Sequence, residues 1–305
     1  MNTPPATPCA IAVLIGLLVS AGAGAAETVN GVTAVSSRVS SDYARRRLPD
    51  GSFQPELYAF GKGGIWGGEI SDATFDKLQF IDVARVIAGP LASRNYIPAT
   101  DPAKTKLLIM VYWGTTAVPG PTSDSVALDQ FSMAQASLSQ AMNRFNPAPS
   151  QVQDAAMSQW SEAMTLVDME NHQRDSLDLK NARMLGYDSE GLIGTDYGNN
   201  IRGTAFASKR TELIEEIEEN RYFVVLMAYD FQLMWKQKKH KLLWETRFSI
   251  SERRNAFDRA LPVMAQYASP YFGQDSKGLL RTRVLEGQVT VGEPRSLGEV
   301  DAPQK

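Results

Sequence analysis

The chain has 305 residues, 43% of them apolar and 21% charged, which is enough for a sizeable core in one large domain or two small ones. A net charge of −3 excludes a global field that recruits nucleic acid, so no nucleic-acid partner is expected. Two histidines and one cysteine narrow the chemistry further.

Residues 11–19 form a short apolar segment, followed by Ser20-Ala21-Gly22-Ala23-Gly24-Ala25-Ala26. An apolar run with a small-residue cleavage zone marks residues 1–26 as a signal peptide. The run is too short for a membrane span, and no later stretch is long and apolar enough for one. Cys9 precedes the run and leaves with the signal. The mature chain is then cysteine-free, with no disulfide, thiol nucleophile or cysteine metal site. An exported protein, periplasmic or secreted, is expected.

Residues 27–55 are polar and serine-rich, with Arg45-Arg46-Arg47. They read as a flexible N-terminal leader, or alternatively as a basic docking arm. Residues 56–60 suit a short strand. Gly61-Lys62-Gly63-Gly64-Ile65-Trp66-Gly67-Gly68 then reads as a loop that packs Trp66, because its spacing is not that of a phosphate-binding loop. Ser71 or Asp72 is expected to cap a helix reaching about residue 93, with Leu78, Ile81, Ala84, Ala88 and Leu91 on one face. Gly89-Pro90 should kink it, and Asn95 should stop it in a left-handed conformation. Residues 107–113 are apolar on both parities, as in a central strand covered on both faces.

Leu128, Phe131, Ala134, Leu138, Met142 and Phe145 make one helical stripe. Asn146-Pro147-Ala148-Pro149 interrupts it, and Ser150 caps a second helix carrying Val152, Ala156, Trp160, Ala163 and Val167. Two such helices over a short loop predict an antiparallel hairpin in which Leu128 meets Val167. Residues 170–176 are polar throughout. A helix is expected to resume at 177–185 and end at Gly186, before a glycine-containing loop over 186–203. Residues 208–220 form a helix with Leu213, Ile214 and Ile217 inward.

Residues 222–250 predict a β-hairpin. Residues 222–235 are densely apolar and rich in β-formers, and 242–250 alternate, with Leu242, Trp244, Thr246, Phe248 and Ile250 inward. The expected register sets Trp235 opposite Leu242, Tyr229 opposite Phe248 and Asp230 opposite Arg247. Ser251 or Asn255 then caps a helix carrying Phe257, Ala260, Leu261, Met264 and Ala268, bent at Pro262 and ended by Pro270. Within residues 281–305, Val289 and Val291 suggest a weak edge strand, followed by a disordered tail.

These elements predict an α+β fold: a mixed, mainly antiparallel sheet with helices packed on it and a helical-hairpin insertion. The discontinuous α+β domain comprises residues 56–124 and 206–280, and the helical insertion residues 125–205.

Candidate sites are few. Asp168, His172 and Asp175 share one helical face, and Asp-x-x-x-His is an acceptable pair of metal ligands, but with no companion motif a solvated helix face with a His–carboxylate contact is the preferred reading. Lys236, Lys238, Lys239 and Lys241 are candidates for anionic head groups, or for solubilising the end of an apolar hairpin. Trp66, Tyr112 and Trp113 are candidates to line a ligand groove, with core packing the default at this spacing. No catalytic motif stands out, and no cofactor is expected.

In the order of these elements, and in residues 107–115 and 242–257, the chain resembles small periplasmic or envelope α+β domains of unknown function in Gram-negative bacteria. The expected function is that of an exported, non-catalytic cell-envelope protein binding a protein partner or a lipid-like ligand. A periplasmic acid- or metal-dependent hydrolase and a self-associating structural module are the alternatives.

Overall fold

The structure is a computed structural model and describes residues 31–66, 75, 77–143, 145–187 and 205–284. Its strands are β1 (Gly31–Val39), β2 (Glu56–Trp66), β3 (Tyr96–Pro98), β4 (Leu107–Thr115), β5 (Arg221–Asp230), β6 (Leu242–Ser251) and β7 (Leu280–Val284). All seven join one sheet in the order β3-β2-β4-β5-β6-β1-β7. β2 pairs in parallel with β3 and β4, and the remaining neighbours are antiparallel. The helices are α1 (Phe80–Ala92), α2 (Val126–Ala141), α3 (Ser150–Leu185), α4 (Ala205–Ile217), α5 (Phe231–Gln237) and α6 (Phe257–Ala268). The fold is α+β with a mixed, mainly antiparallel sheet, and the distant segments 107–115 and 221–251 lie side by side in it.

Strand alternation sorts the side chains into two layers. Tyr222, Val224, Leu226 and Ala228 of β5 join Leu107, Ile109, Val111 and Trp113 of β4, and Trp244, Phe248 and Ile250 of β6, in the main core. Val83, Ile87 and Leu91 of α1 and Phe257, Leu261 and Met264 of α6 cover that layer. On the opposite face Phe223 and Val225 pack with Ala34 of β1, Ala182 and Leu185 of α3, and Ile217 of α4. β4 is apolar on both parities because it meets both layers. Its odd positions to Trp113 are fully buried, and Leu108, Met110 and Tyr112 are half-buried.

The N-terminal segment corrects the expectation of a flexible leader. Residues 31–39 are β1, held between β6 and β7. Serine and threonine do not prevent burial where their hydroxyls find partners. Ser37 Oγ lies 2.7 Å from Thr246 Oγ1 and donates to the Tyr271 carbonyl at 2.9 Å. Arg45 is no free docking residue either: its guanidinium lies 4.4 Å from the Phe53 ring centroid and 4.0 Å from that of Tyr96.

The glycine-rich stretch is strand as far as Trp66. A Cβ at Gly63 would meet the Tyr112 ring at 2.7 Å, so the missing side chain leaves room for that ring. In α1 the buried residues are Val83, Ala84, Ile87 and Leu91, whereas Ile81 is exposed, so the true face is rotated from the expected one. Asn95 has φ 59°, the left-handed stop the sequence predicts.

The predicted hairpin register is wrong. β5 ends at Asp230, whose side chain accepts a hydrogen bond from Leu233 N at 2.9 Å and so caps α5. Tyr229 therefore pairs with Leu242, and Val225, not Asp230, stands opposite Arg247. Trp235 lies on α5, 47% exposed. α3 is continuous through the polar residues 170–176 and ends at Gly186, φ 80°, as expected. Ala256, not Ser251 or Asn255, occupies the N-cap position of α6.

The helical hairpin forms, and its seam keeps Ala134, Ala156 and Ala163 of the predicted stripes but differs at its ends. Ala127, Ala134 and Ala141 of α2 and Ala156 and Ala163 of α3 are the buried positions, while Leu128 is 39% exposed. The offset between the helices agrees with expectation. Ser125 Oγ donates to Glu170 at 2.6 Å, three residues beyond the predicted Leu128–Val167 pair on each helix. β7 begins at Leu280, the last residue of the expected domain, and runs to Val284 in the stretch expected as weak strand and tail. The signal segment with Cys9, the caps Ser71 and Asp72, most of the 186–203 loop, and Val289 and Val291 lie outside the described residues.

Candidate functional site: a groove under the long helix

α3 packs on β1, β5 and β6. Beside it, towards β4 and the end of β2, the second face of the sheet is open. The result is a half-open groove of about 720 Å³, within the ~300–1,000 Å³ usual for small-molecule sites. Its floor is built by alternation: Phe223, Val225, Met227 and Tyr229 are every second residue of β5. Tyr112 and Arg247 flank Val225 in register, so Tyr112, Val225 and Arg247 form a row across three strands. Trp66, 46% exposed at the end of β2, closes one side.

The wall is helical. Ser176, Leu179, Lys180, Arg183 and Met184 recur at the spacing that puts them on one face of α3. Apolar and aromatic side chains line most of the surface. The charged lining residues, Lys180, Arg183 and Arg247, are all cationic. Arg247 pairs through Nη1 with Glu245, and its buried Nε has no hydrogen-bond partner among the described residues. Burial raises the Tyr229 hydroxyl above its ordinary pKa, with smaller contributions from Tyr112 and Glu245, so it is neutral at physiological pH.

Of the aromatic candidates, the structure brings Trp66 and Tyr112 together in this groove. Trp113 points the other way, is fully buried, and stacks on Phe80 at 6.4 Å. The lysines do not join the site. Lys241 pairs with Asp42 at 2.7 Å, and Lys236, Lys238 and Lys239 are exposed around the end of α5. Asp168 and His172 are exposed on α3 and Asp175 is half-buried; no group of three or more potential metal ligands converges among the described residues. The wall residues Leu179, Lys180, Arg183 and Met184 were not singled out from the sequence, although their spacing was legible there.

A second feature lies where α3 meets α4. Asp178 is buried, and its Oδ1 has no partner among the described residues. Burial pushes its pKa up to about 7; the Glu218 carboxylate adds to the rise, Arg174 opposes it, and Asp175 raises it further. Arg174 Nη1 donates to Glu218 at 3.0 Å, and Asn181 Nδ2 to the Ala117 carbonyl at 2.6 Å, so polar bonds fasten this part of α3 to its surroundings.

No family model matches the sequence, and no curated protein matches it at a significant level. Among solved structures, a PDZ domain protein from Parabacteroides distasonis ATCC 8503 aligns with 83% of this chain at 12% identity and a TM-score of 0.36. The chain spans 39% of that protein's length. Among the described residues, no helix is long and apolar enough to cross a membrane.

Proposed function

We propose that this chain is an exported cell-envelope protein that works by binding, and that its ligand is lipid-like. The observation that carries the reading is the groove between α3 and the sheet, whose floor runs from the buried Phe223 and Val225 out to the half-buried Met227 and Tyr229. An acyl chain seated there gains about 0.8 kcal/mol per buried methylene. Met184 and Met227 add unbranched, polarizable side chains that adapt to such a chain. Export is supported by the apolar run and small-residue zone of residues 1–26.

Titration of the full chain with 1-N-phenylnaphthylamine, an uncharged apolar fluorophore, tests the binding reading. A saturable signal is expected, lost in Met227→Lys and kept in Met133→Lys on the exposed side of α2. A non-saturable signal, or equal loss in both folded variants, overturns it. Expression in a Gram-negative host tests export. The expected product is a periplasmic chain that begins near residue 27; a full-length cytoplasmic product overturns that part.

A further inference from the structure

We propose that the groove is a site for a long-chain anionic amphiphile, its acyl tail against Tyr112, Phe223, Val225 and Met227 and its anionic head between Lys180 and Arg183. The inference rests on the lipid-like reading above and adds the sign of the head group.

Three observations carry it. The lining contains Lys180, Arg183 and Arg247 and no carboxylate; Arg247 is paired with Glu245 beside the groove, so Lys180 and Arg183 carry the excess charge. Lys180 and Arg183 are exposed and have no carboxylate within ion-pair distance among the described residues. Several cations at other packed positions are matched: Arg174 by Glu218, Arg221 by Glu219, and Arg281 by Glu212 and Glu216. The groove, by contrast, sets two unmatched cations, Lys180 and Arg183, beside apolar surface.

Arg183 lies in the last turn of α3, where a cation complements the negative end of the helix dipole. That role does not require a position facing the groove, and Lys180, one turn earlier, contributes less to it. Both stand on the face with Leu179 and Met184, so one helical surface presents apolar contact and positive charge together. An apolar tail with an anionic head matches this surface in both respects. A cationic amphiphile meets like charge, and a neutral one leaves the charge unused.

The test is displacement of bound 1-N-phenylnaphthylamine from the full chain by palmitate, hexadecanol and hexadecylamine, at a pH where palmitate is ionised. Palmitate is expected to displace the probe at least about tenfold more tightly than hexadecanol, the equivalent of ~1.4 kcal/mol, with hexadecylamine weakest. Lys180→Glu/Arg183→Glu should abolish or invert that order, with each amphiphile's displacement read relative to that variant's own affinity for the probe. Lys180→Ala/Arg183→Ala should bring palmitate and hexadecanol level. Both positions are exposed, so these variants retain the fold. Equal affinity for palmitate and hexadecanol in the unmodified chain overturns the anionic preference but leaves the lipid-like reading standing. A palmitate preference that survives charge reversal overturns the placement of the head group. Failure of the probe and all three amphiphiles to bind overturns the lipid-like reading itself.

Discussion

Arg221 reaches across β6 to the backbone of Val32, donating from Nη2 to its carbonyl oxygen at 2.8 Å. On the way its Nε donates to Ser249 Oγ at 3.2 Å, and Nη1 lies 3.6 Å from Glu219. The side chain is 1% exposed, and its single guanidinium joins β5, β6 and β1. Arg221→Ala should cost about 2–4 kcal/mol, because it strands a buried carbonyl and hydroxyl and leaves a void. Arg221→Lys should recover only part of the loss, since an ammonium cannot satisfy the same planar set of acceptors. Urea unfolding midpoints of the three proteins check this order; equal midpoints would refute it.

Asp178 makes stability depend on pH. Its folded pKa of about 7 lies above the ordinary value of 3.8, so the folded state holds a proton that the unfolded chain releases. This contribution is fully present below pH 3.8 and is lost as pH rises through about 7. Asp178→Asn keeps the shape and cannot ionise. Its melting temperature should match that of the unmodified protein at low pH and exceed it above neutrality. Parallel melting curves across that range would show that Asp178 does not carry the dependence.

Sequence reasoning reached the architecture where one physical rule acts alone. Residues 107–113 read as a central strand because their seven apolar residues are rich in β-formers and too few for a buried helix, and Gly186 could end a helix because it tolerates positive φ. It failed where two rules compete. Residues 231–235 are as apolar and aromatic as the strand before them, and a short apolar run does not distinguish strand from helix. The decisive feature is local: Asp230 caps the backbone amide of Leu233. At β1, polar composition suggested a leader, whereas Ser37 is satisfied by Thr246 and Tyr271 once the sheet exists. Tyr112 and Trp113 show the same limit at the site. Alternation puts them on opposite faces, but only the positions of α1 and α3 decide which face is core and which is groove. The groove wall was missed although 177–185 was expected as helix, because the spacing of Leu179, Lys180, Arg183 and Met184 does not say which face of that helix borders open sheet.

Loss of the α5 cap tests the corrected end of β5. Asp230→Ala should destabilise the protein by about 1 kcal/mol. Hydrogen exchange should quicken at Leu233 N, which donates to Asp230, and remain unchanged at the centre of β5. Faster exchange throughout β5 would mean that the strand, not the helix, depends on Asp230.

Gly186 couples the end of α3 to the sheet. Its φ is 80°, and a Cβ there would lie 2.6 Å from Ser36 Cβ and 3.2 Å from Arg247 Cδ. Gly186→Ala should cost at least about 1–2 kcal/mol for the left-handed conformation alone, with the clash adding to it. The same substitution should weaken binding of apolar probes, because relieving the clash moves α3 or Arg247, and both border the groove. A stability loss without any change in probe affinity would separate this contact from the site.

The alanine seam of the hairpin makes the last prediction. Ala134 and Ala163 are buried where α2 meets α3, and their small side chains set how closely the two helices approach. Leucine at either position adds volume that the seam has no space for, a change that costs about 1–3 kcal/mol in a packed interior. The main core lies across the sheet, built from β4, β5, β6, α1 and α6, and contains neither α2 nor the first half of α3. Ala134→Leu should therefore loosen the hairpin, seen as faster proteolysis near the 146–149 turn, while the groove still binds its probe. Loss of binding in that variant would mean that the free end of the hairpin and the groove act as one unit.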